Sequence, residues 1–254
     1  MRDTELNIQL YNGDCFEIIE QLLNKGIRVD HIICDPPYNI EIADWDKNFD
    51  FDKVGELCYK IIKPSGNLIL FSGWSEVCNV IEHMKKHFIL KNWIIWDRIK
   101  GRGATKDFMS TREDILWFSN NESPTFHKRY SNIKKATAGM GNKNGQENRS
   151  LSNVWYDISP IVPWADEKTE HPSQKPVELM ERCVDIWTNE GDTVLDFTMG
   201  SGSTGVACKN LYRNFIGIEK DTEWFNIAQN RINNEHKIVI DNKEDILDPS
   251  ALDF

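Results

Sequence analysis

Thr193-Val194-Leu195-Asp196-Phe197-Thr198-Met199-Gly200-Ser201-Gly202-Ser203-Thr204-Gly205 is the stretch that decides the fold. An apolar strand ends in an acid, turns through glycines and enters a helix that runs on through Val206 to Leu211. Gly200 and Gly202 allow a tight turn and a close backbone approach to a ligand. Ser203 or Thr204 is placed to cap the helix. Asn214-Phe215-Ile216-Gly217-Ile218-Glu219 follows as a second strand ending in an acid. The spacing from the glycine turn to Glu219 is about that of a nucleotide-binding unit whose acid holds ribose hydroxyls. The glycines fall short of the full dinucleotide pattern, so a mononucleoside-like cofactor fits better. Alone, the Gly-x-Gly also describes an ordinary strand-to-helix turn.

Far upstream, Val29-Asp30-His31-Ile32-Ile33-Cys34 reads as a buried parallel strand. It delivers Asp35-Pro36-Pro37-Tyr38. A carboxylate and a proline carbonyl accept hydrogen bonds from an amino group, and proline has no N–H to compete as a donor. Tyr38 offers a flat face for stacking. The tetrapeptide suits the grip of a planar, amino-bearing base. Taken alone it reads equally as a rigid exit turn with Asp35 as a cap.

Between and around these sites, strands alternate with helices. Strands are expected at 8–11, 29–34, 67–71 and 193–196, and helices at 16–23, 51–62, 75–86, about three turns from Val177, and 222–234. Residues 92–96 and 115–118 read as a last, antiparallel pair. This alternation implies a doubly wound sheet with ligands at the carboxyl ends of its strands. Residues 39–50 read as a loop closing over the target base, with Trp45 and Phe49 as stacking candidates. Trp93, Trp96 and Trp117 read as core. From 119 to about 170 the pattern breaks, and 138–145 has the composition of a mobile loop. The acidic tail after Asp241 reads as a solvated terminus.

The chain of 254 residues is long enough to bury a sizeable core. Its six cysteines are scattered with no Cys-x-x-Cys pair, which reads as reduced thiols in a cytoplasmic protein. No metal-ligand cluster, signal peptide or membrane-length apolar run is evident in the sequence. The net charge is −10, an unpromising value for a nucleic-acid binder. Its distribution changes that judgement. Residues 97–150 hold eleven Lys/Arg against six acids, a basic insert in an otherwise acidic chain. Such an insert is a plausible phosphate-contacting face, and by charge alone equally a solvated loop.

These motifs together resemble the β-type amino-group DNA methyltransferases, which depend on S-adenosylmethionine. Asp35 to Tyr38 matches the family's catalytic motif. His171-Pro172-Ser173-Gln174-Lys175-Pro176 is close to its HPTQKP signature, and Asn12-Gly13-Asp14-Cys15 resembles the segment that contacts the cofactor adenine. Asp196 to Thr204 matches the cofactor loop, and Glu219 the ribose acid. The order, catalytic motif first and cofactor loop last, is that of the β type. Phe197 departs from the usual proline, Thr198 from the usual phenylalanine, and Ser203 from a threonine.

The resemblance implies a mostly parallel, Rossmann-like methyltransferase sheet with an antiparallel last strand, circularly permuted motif order and a loop-rich target-recognition insert. Residues 1–118 would be the catalytic half and 119–170 the insert, its basic stretch beginning near 98. Residues 171–240 would be the cofactor half and 241–254 an acidic tail. It assigns Asp35, Pro36, Pro37 and Tyr38 to catalysis. It assigns Asp14, Cys15, Lys175, Asp196, Phe197, Thr198, Gly200, Ser201, Gly202, Ser203, Thr204 and Glu219 to the cofactor, with Lys175 on its carboxylate side or bracing the pocket. Arg98, Lys100, Arg102, Lys128, Arg129, Lys134, Lys135 and Lys143 are the candidate contacts to double-stranded DNA. An Asp at position 35 favours adenine-N6 as target over cytosine-N4. A module that binds DNA without catalysis is the reading from another class. The resemblance also allows a homodimer, and leaves a companion restriction endonuclease undetermined.

Overall fold

The computed structural model describes residues 6–39, 49–102, 105, 108–134 and 147–234. Trp45, Lys135, Lys143, the 138–145 stretch and the acidic tail lie outside the described residues. The chain begins with β1 (Ile8–Asn12), α1 (Cys15–Asn24), β2 (His31–Cys34), α2 (Phe51–Ile61), β3 (Asn67–Ser72) and α3 (Val77–Met84). A long hairpin follows, β4 (Ile89–Arg102) and β5 (Ser110–Ser119), then the short strands β6 (Tyr130–Lys134), β7 (Asn148–Ser150) and β8 (Val154–Trp155). The last section is α4 (Val177–Trp187), β9 (Thr193–Asp196), α5 (Ser203–Asn210), β10 (Asn214–Glu219) and α6 (Thr222–Asn234).

Eight strands form one sheet in the order β1-β10-β9-β2-β3-β5-β4-β8. The helices divide between its faces. Ile19, Val54 and Val80 from α1, α2 and α3 join one core cluster; Cys183, Val206 and Ile232 from α4, α5 and α6 join the other. Buried on both faces, β2 and β3 are almost wholly apolar, which is why they read as unbroken runs rather than alternations.

Among the described strands of the sheet only β5 runs against its neighbours, antiparallel to both β3 and β4. The antiparallel pairing of 92–96 with 115–118 is present, but the pair does not close the sheet. β8 adds in parallel outside β4, pairing Ile95 with Val154 and Trp96 with Trp155. The described residues of the insert thus include regular strands. β6 and β7 form a separate antiparallel ribbon. Arg129 binds Asp185 on α4, and His127 N–H donates to the Ile186 carbonyl at 2.8 Å, which tie the insert to the body. Among the three tryptophans expected in the core, Trp96 is fully buried, while Trp93 and Trp117 pack at its margin.

The fold places the sites through one topological fact. From β2 the sheet proceeds to β3 on one side; from β9 it proceeds to β10 on the other. β2 and β9 lie next to each other in parallel, pairing His31 with Val194 and Ile32 with Leu195. A doubly wound sheet opens a crevice at such a switch point, outside the carboxyl ends of the strands. Those ends carry Asp35 and Asp196.

Candidate active site

A cavity of about 680 Å³ opens at this switch point, walled by Asp14, Phe49, Lys175, Phe197, Gly200 and Glu219 among others. The loop after β9 shapes one side. Asp196 ends its strand and turns back on its own loop: Thr204 Oγ1 donates to Oδ2 at 2.6 Å and Thr198 N–H to Oδ1 at 3.2 Å. Burial pushes its carboxyl up to about 7, partly offset by those hydrogen bonds. Asp196 thus holds the loop in shape.

The helix cap differs from expectation. Gly202, at φ 81°, is the N-cap of α5 in place of Ser203 or Thr204, and the helix starts at Ser203. Glycine takes the left-handed cap position at no steric cost, which frees both following hydroxyls. Ser203 Oγ donates instead to the Lys175 carbonyl at 2.7 Å, and Thr204 Oγ1 to Asp196. A Cβ on Gly202 would lie 3.0 Å from Ala228 Cβ on α6. Gly202→Ala is expected to lower stability by about 1–3 kcal/mol, the sum of left-handed strain and crowding, as urea denaturation would measure.

Glu219 closes the same side at the end of β10. Its Oε2 accepts the Gly200 N–H and its Oε1 the Asp221 N–H, each at 2.9 Å. Burial raises its carboxyl above the usual range, and these N–H groups oppose that shift. Each oxygen keeps a lone pair, enough for two ribose hydroxyls. The other wall is aromatic: Phe49 lies parallel to Phe197 at 6.3 Å and tilted against Phe16 at 5.5 Å. Phe49 is held there by Asn39, whose side-chain oxygen accepts the Phe49 N–H at 2.7 Å and whose amide donates to the Phe49 carbonyl at 3.2 Å. It faces a cavity lined by Asp35 and Pro37 as well as by Asp14 and Phe197.

Asp14 caps α1 by accepting the Phe16 N–H at 3.0 Å and pairs with Lys220 at 3.1 Å. Cys15 beside it is buried, and burial pushes its thiol up to about 12, so it is a neutral wall residue. Ser201 is buried, its carbonyl accepting from Arg231 at 2.7 Å. His171 also lines the cavity, its ring edge-on to Trp224 at 4.8 Å. Burial and the nearby cations Lys175, Lys168 and Arg231 push its imidazole down to about 4, so it is neutral at pH 7.

On the β2 side, Pro36 is buried while Asp35, Pro37 and Tyr38 are partly open. Tyr38 donates to Asp35 Oδ1 at 2.5 Å. Lys175 pairs with Asp35 Oδ2. Burial opposes the Lys175 charge, but Asp35 and Glu113 outweigh it and hold the ammonium above its usual range. Burial and these two carboxylates likewise keep the Tyr38 hydroxyl protonated. Thr198 joins the halves, donating to the Asp35 carbonyl at 3.1 Å and lying 2.9 Å from Cys34 Sγ. Those two contacts give the Thr198 hydroxyl a bridging place between the two strand ends.

The family model described as DNA methylase, N6_N4_Mtase, matches residues 29–230. The chain belongs to this family. Type II methyltransferase M1.MboII of Moraxella bovis is 31% identical over 252 residues, covering 88% of this chain and 95% of that protein. Type II methyltransferase M.HpaI of Haemophilus parainfluenzae is 30% identical, covering 87% and 74%. The crystal structure of an M1.HpyAVI–SAM complex superposes with a TM-score of 0.67 at 33% identity, covering 88% of this chain and 99% of that one. The cytosine-N4-specific PvuII methyltransferase, at 17% identity and a TM-score of 0.65, shares the fold. This DNA methylase is an S-adenosylmethionine-dependent enzyme that acts on DNA. Among its described residues, no helix is long and apolar enough to cross a membrane.

The candidate DNA contacts divide. Lys100 and Arg102 lie on β4 and Lys134 on β6. Lys128 is exposed, its ammonium 5.5 Å over the Tyr130 ring. Arg98 and Arg129 have carboxylate partners within the chain. Arg98 donates to Glu113 at 3.1 Å and to the Ser110 carbonyl at 3.1 Å, and Arg129 grips both oxygens of Asp185. Both guanidinium groups are committed within the chain. Sequence reading missed Glu113, which counted only as one acid in a basic window; nothing local marks it, because its partner lies on a distant loop.

Proposed function

We propose that this enzyme methylates the N6 amino group of an adenine turned out of duplex DNA. The observation that carries the reading is Asp35, a carboxylate held at the sheet's switch point beside the cavity that Glu219 closes. The target amino group lies inside a stacked duplex, so it must leave the stack to reach Asp35. S-adenosylmethionine, when bound against Glu219 and the Gly200–Gly202 turn, supplies an electrophilic methyl group. Asp35 and the Pro36 carbonyl accept the amino hydrogens, and neither can donate. An amino group held this way directs its lone pair away from them. Tyr38 and Lys175 hold Asp35 in place, so positioning rather than base strength is its contribution. Asp35, in place of the serine expected of cytosine-N4 enzymes, supports adenine.

Residues 119–170, with the β6–β7 ribbon, serve as the target-recognition segment in this reading, and Lys128 and Lys134 as phosphate contacts. Neutralising both is expected to weaken DNA binding and reduce its log–log salt slope by about two. An unchanged slope in titrations across salt would exclude them. A homodimer would appear as a doubled mass in sedimentation.

Mass spectrometry of nucleosides from treated DNA tests the base. N6-methyladenine is the expected product. N4-methylcytosine alone would replace the adenine assignment, and retained DNA binding with no methyl incorporation would mean a binding module.

A further inference from the structure

We propose that Glu113 is a positioning residue for methyl transfer, acting on Asp35 through Lys175. The inference rests on the reading of Asp35 given above. Glu113 sits near the start of β5, two residues before Ile115 and four before Trp117, both part of the core on the α4–α6 face. The two-residue period of a strand puts its side chain on that face too. Asp35 follows Ile33, from the same core, by two residues. Lys175 enters from the loop before α4 and lies between the two carboxylates.

The geometry is a chain of alternating charge. Lys175 Nζ binds Asp35 Oδ2 and lies 3.1 Å from Glu113 Oε2. Arg98 Nη1 lies 3.1 Å from Glu113 Oε1. The side chains of Lys175, Glu113 and Arg98 are 9%, 15% and 24% exposed, so the row is largely shielded from water. A lone ammonium between two carboxylates would leave one negative charge unbalanced, and Arg98 supplies the balance. The backbone of Lys175 is pinned by Ser203 Oγ, but its side chain has four rotatable bonds. The two carboxylates, both within ion-pair distance, together fix where the ammonium stops. With Glu113 neutral, the ammonium would be drawn wholly onto Asp35 and would compete with the target amino group for the oxygen that must accept it.

Glu113 is absent from the cavity walls, so its effect passes through Lys175. In E113Q the rate of methyl incorporation from labelled S-adenosylmethionine into DNA is expected to fall by roughly 10–100-fold, the scale of a misplaced catalytic group. Cofactor Kd and the KM for DNA are expected to stay within about 3-fold, a split that general loss of structure would not produce. In a K175M background the same substitution is expected to cost less than about 2-fold, because the route to Asp35 is gone. Equal costs in both backgrounds would overturn the inference, as would a wild-type rate in E113Q or loss of cofactor binding in step with the rate. Should K175M fail to unfold cooperatively, R98M gives the second cycle: it should lower the rate in the parent and not in E113Q, and additivity there would equally overturn the inference. D35N separates the two claims. An inactive D35N with additive E113Q costs removes only the role of Glu113. An active D35N removes the reading of Asp35 and this inference with it.

Discussion

Asp35→Asn is expected to lower methyl transfer by roughly 10³-fold while cofactor affinity stays within about 3-fold, on the scale of deleting one preorganised electrostatic contact. The substitution keeps the shape of the side chain. It replaces an acceptor-only carboxylate by an amide with one accepting oxygen. That single oxygen must then serve Tyr38, Lys175 and the incoming amino group together. The amide nitrogen would also face the Lys175 ammonium, which repels a donor. Asp35→Ala should be at least as damaging to the rate. It would also leave Lys175 facing Glu113 alone, at a cost in stability that Asn reduces. Single-turnover rates on saturating cofactor, beside calorimetric cofactor binding, measure both halves. Loss of rate and affinity in equal proportion would mean that Asp35 supports the cavity rather than the reaction.

Glu219→Ala is expected to give the complementary result, a roughly 100-fold weakening of cofactor binding. Two hydrogen bonds to a charged acceptor disappear, each contributing about 1.5–3 kcal/mol, and the loop relaxes in partial compensation. The Gly200 and Asp221 N–H groups lose their shared acceptor, so the glycine turn loosens as well. At saturating cofactor the rate should recover to within about 10-fold of the parent. A rate that stays low when affinity has been overcome would place Glu219 in the chemistry instead.

Much of this site was legible because its parts are local. Asp35 to Tyr38 and Asp196 to Gly205 are contiguous, each at the end of an apolar run, so their chemistry and position can be read together. Charge was legible only in bulk. The basic window from 97 to 150 is real, yet Arg98 and Arg129 within it are held by Glu113 and Asp185. No composition count separates a cation facing a phosphate from one facing a carboxylate in the same chain. How Phe49 is anchored was not legible for a similar reason: its position depends on Asn39, ten residues back, folding a side chain onto its backbone.

The sequence by itself determined the two halves: a strand carrying an amino-gripping motif, a strand and glycine turn leading to an acid, and alternation that requires a layered α/β sheet. Runs of apolar residues ending in polar turns carry that information within ten or so positions. Only the tertiary structure decided that β2 and β9 are neighbours, that β8 rather than β4 edges the sheet, and that Lys175 stands between Asp35 and Glu113. Those facts join residues 59 to 163 positions apart in the chain. Strand order and buried charge pairing are settled by which surfaces exclude water together, and no local pattern records that.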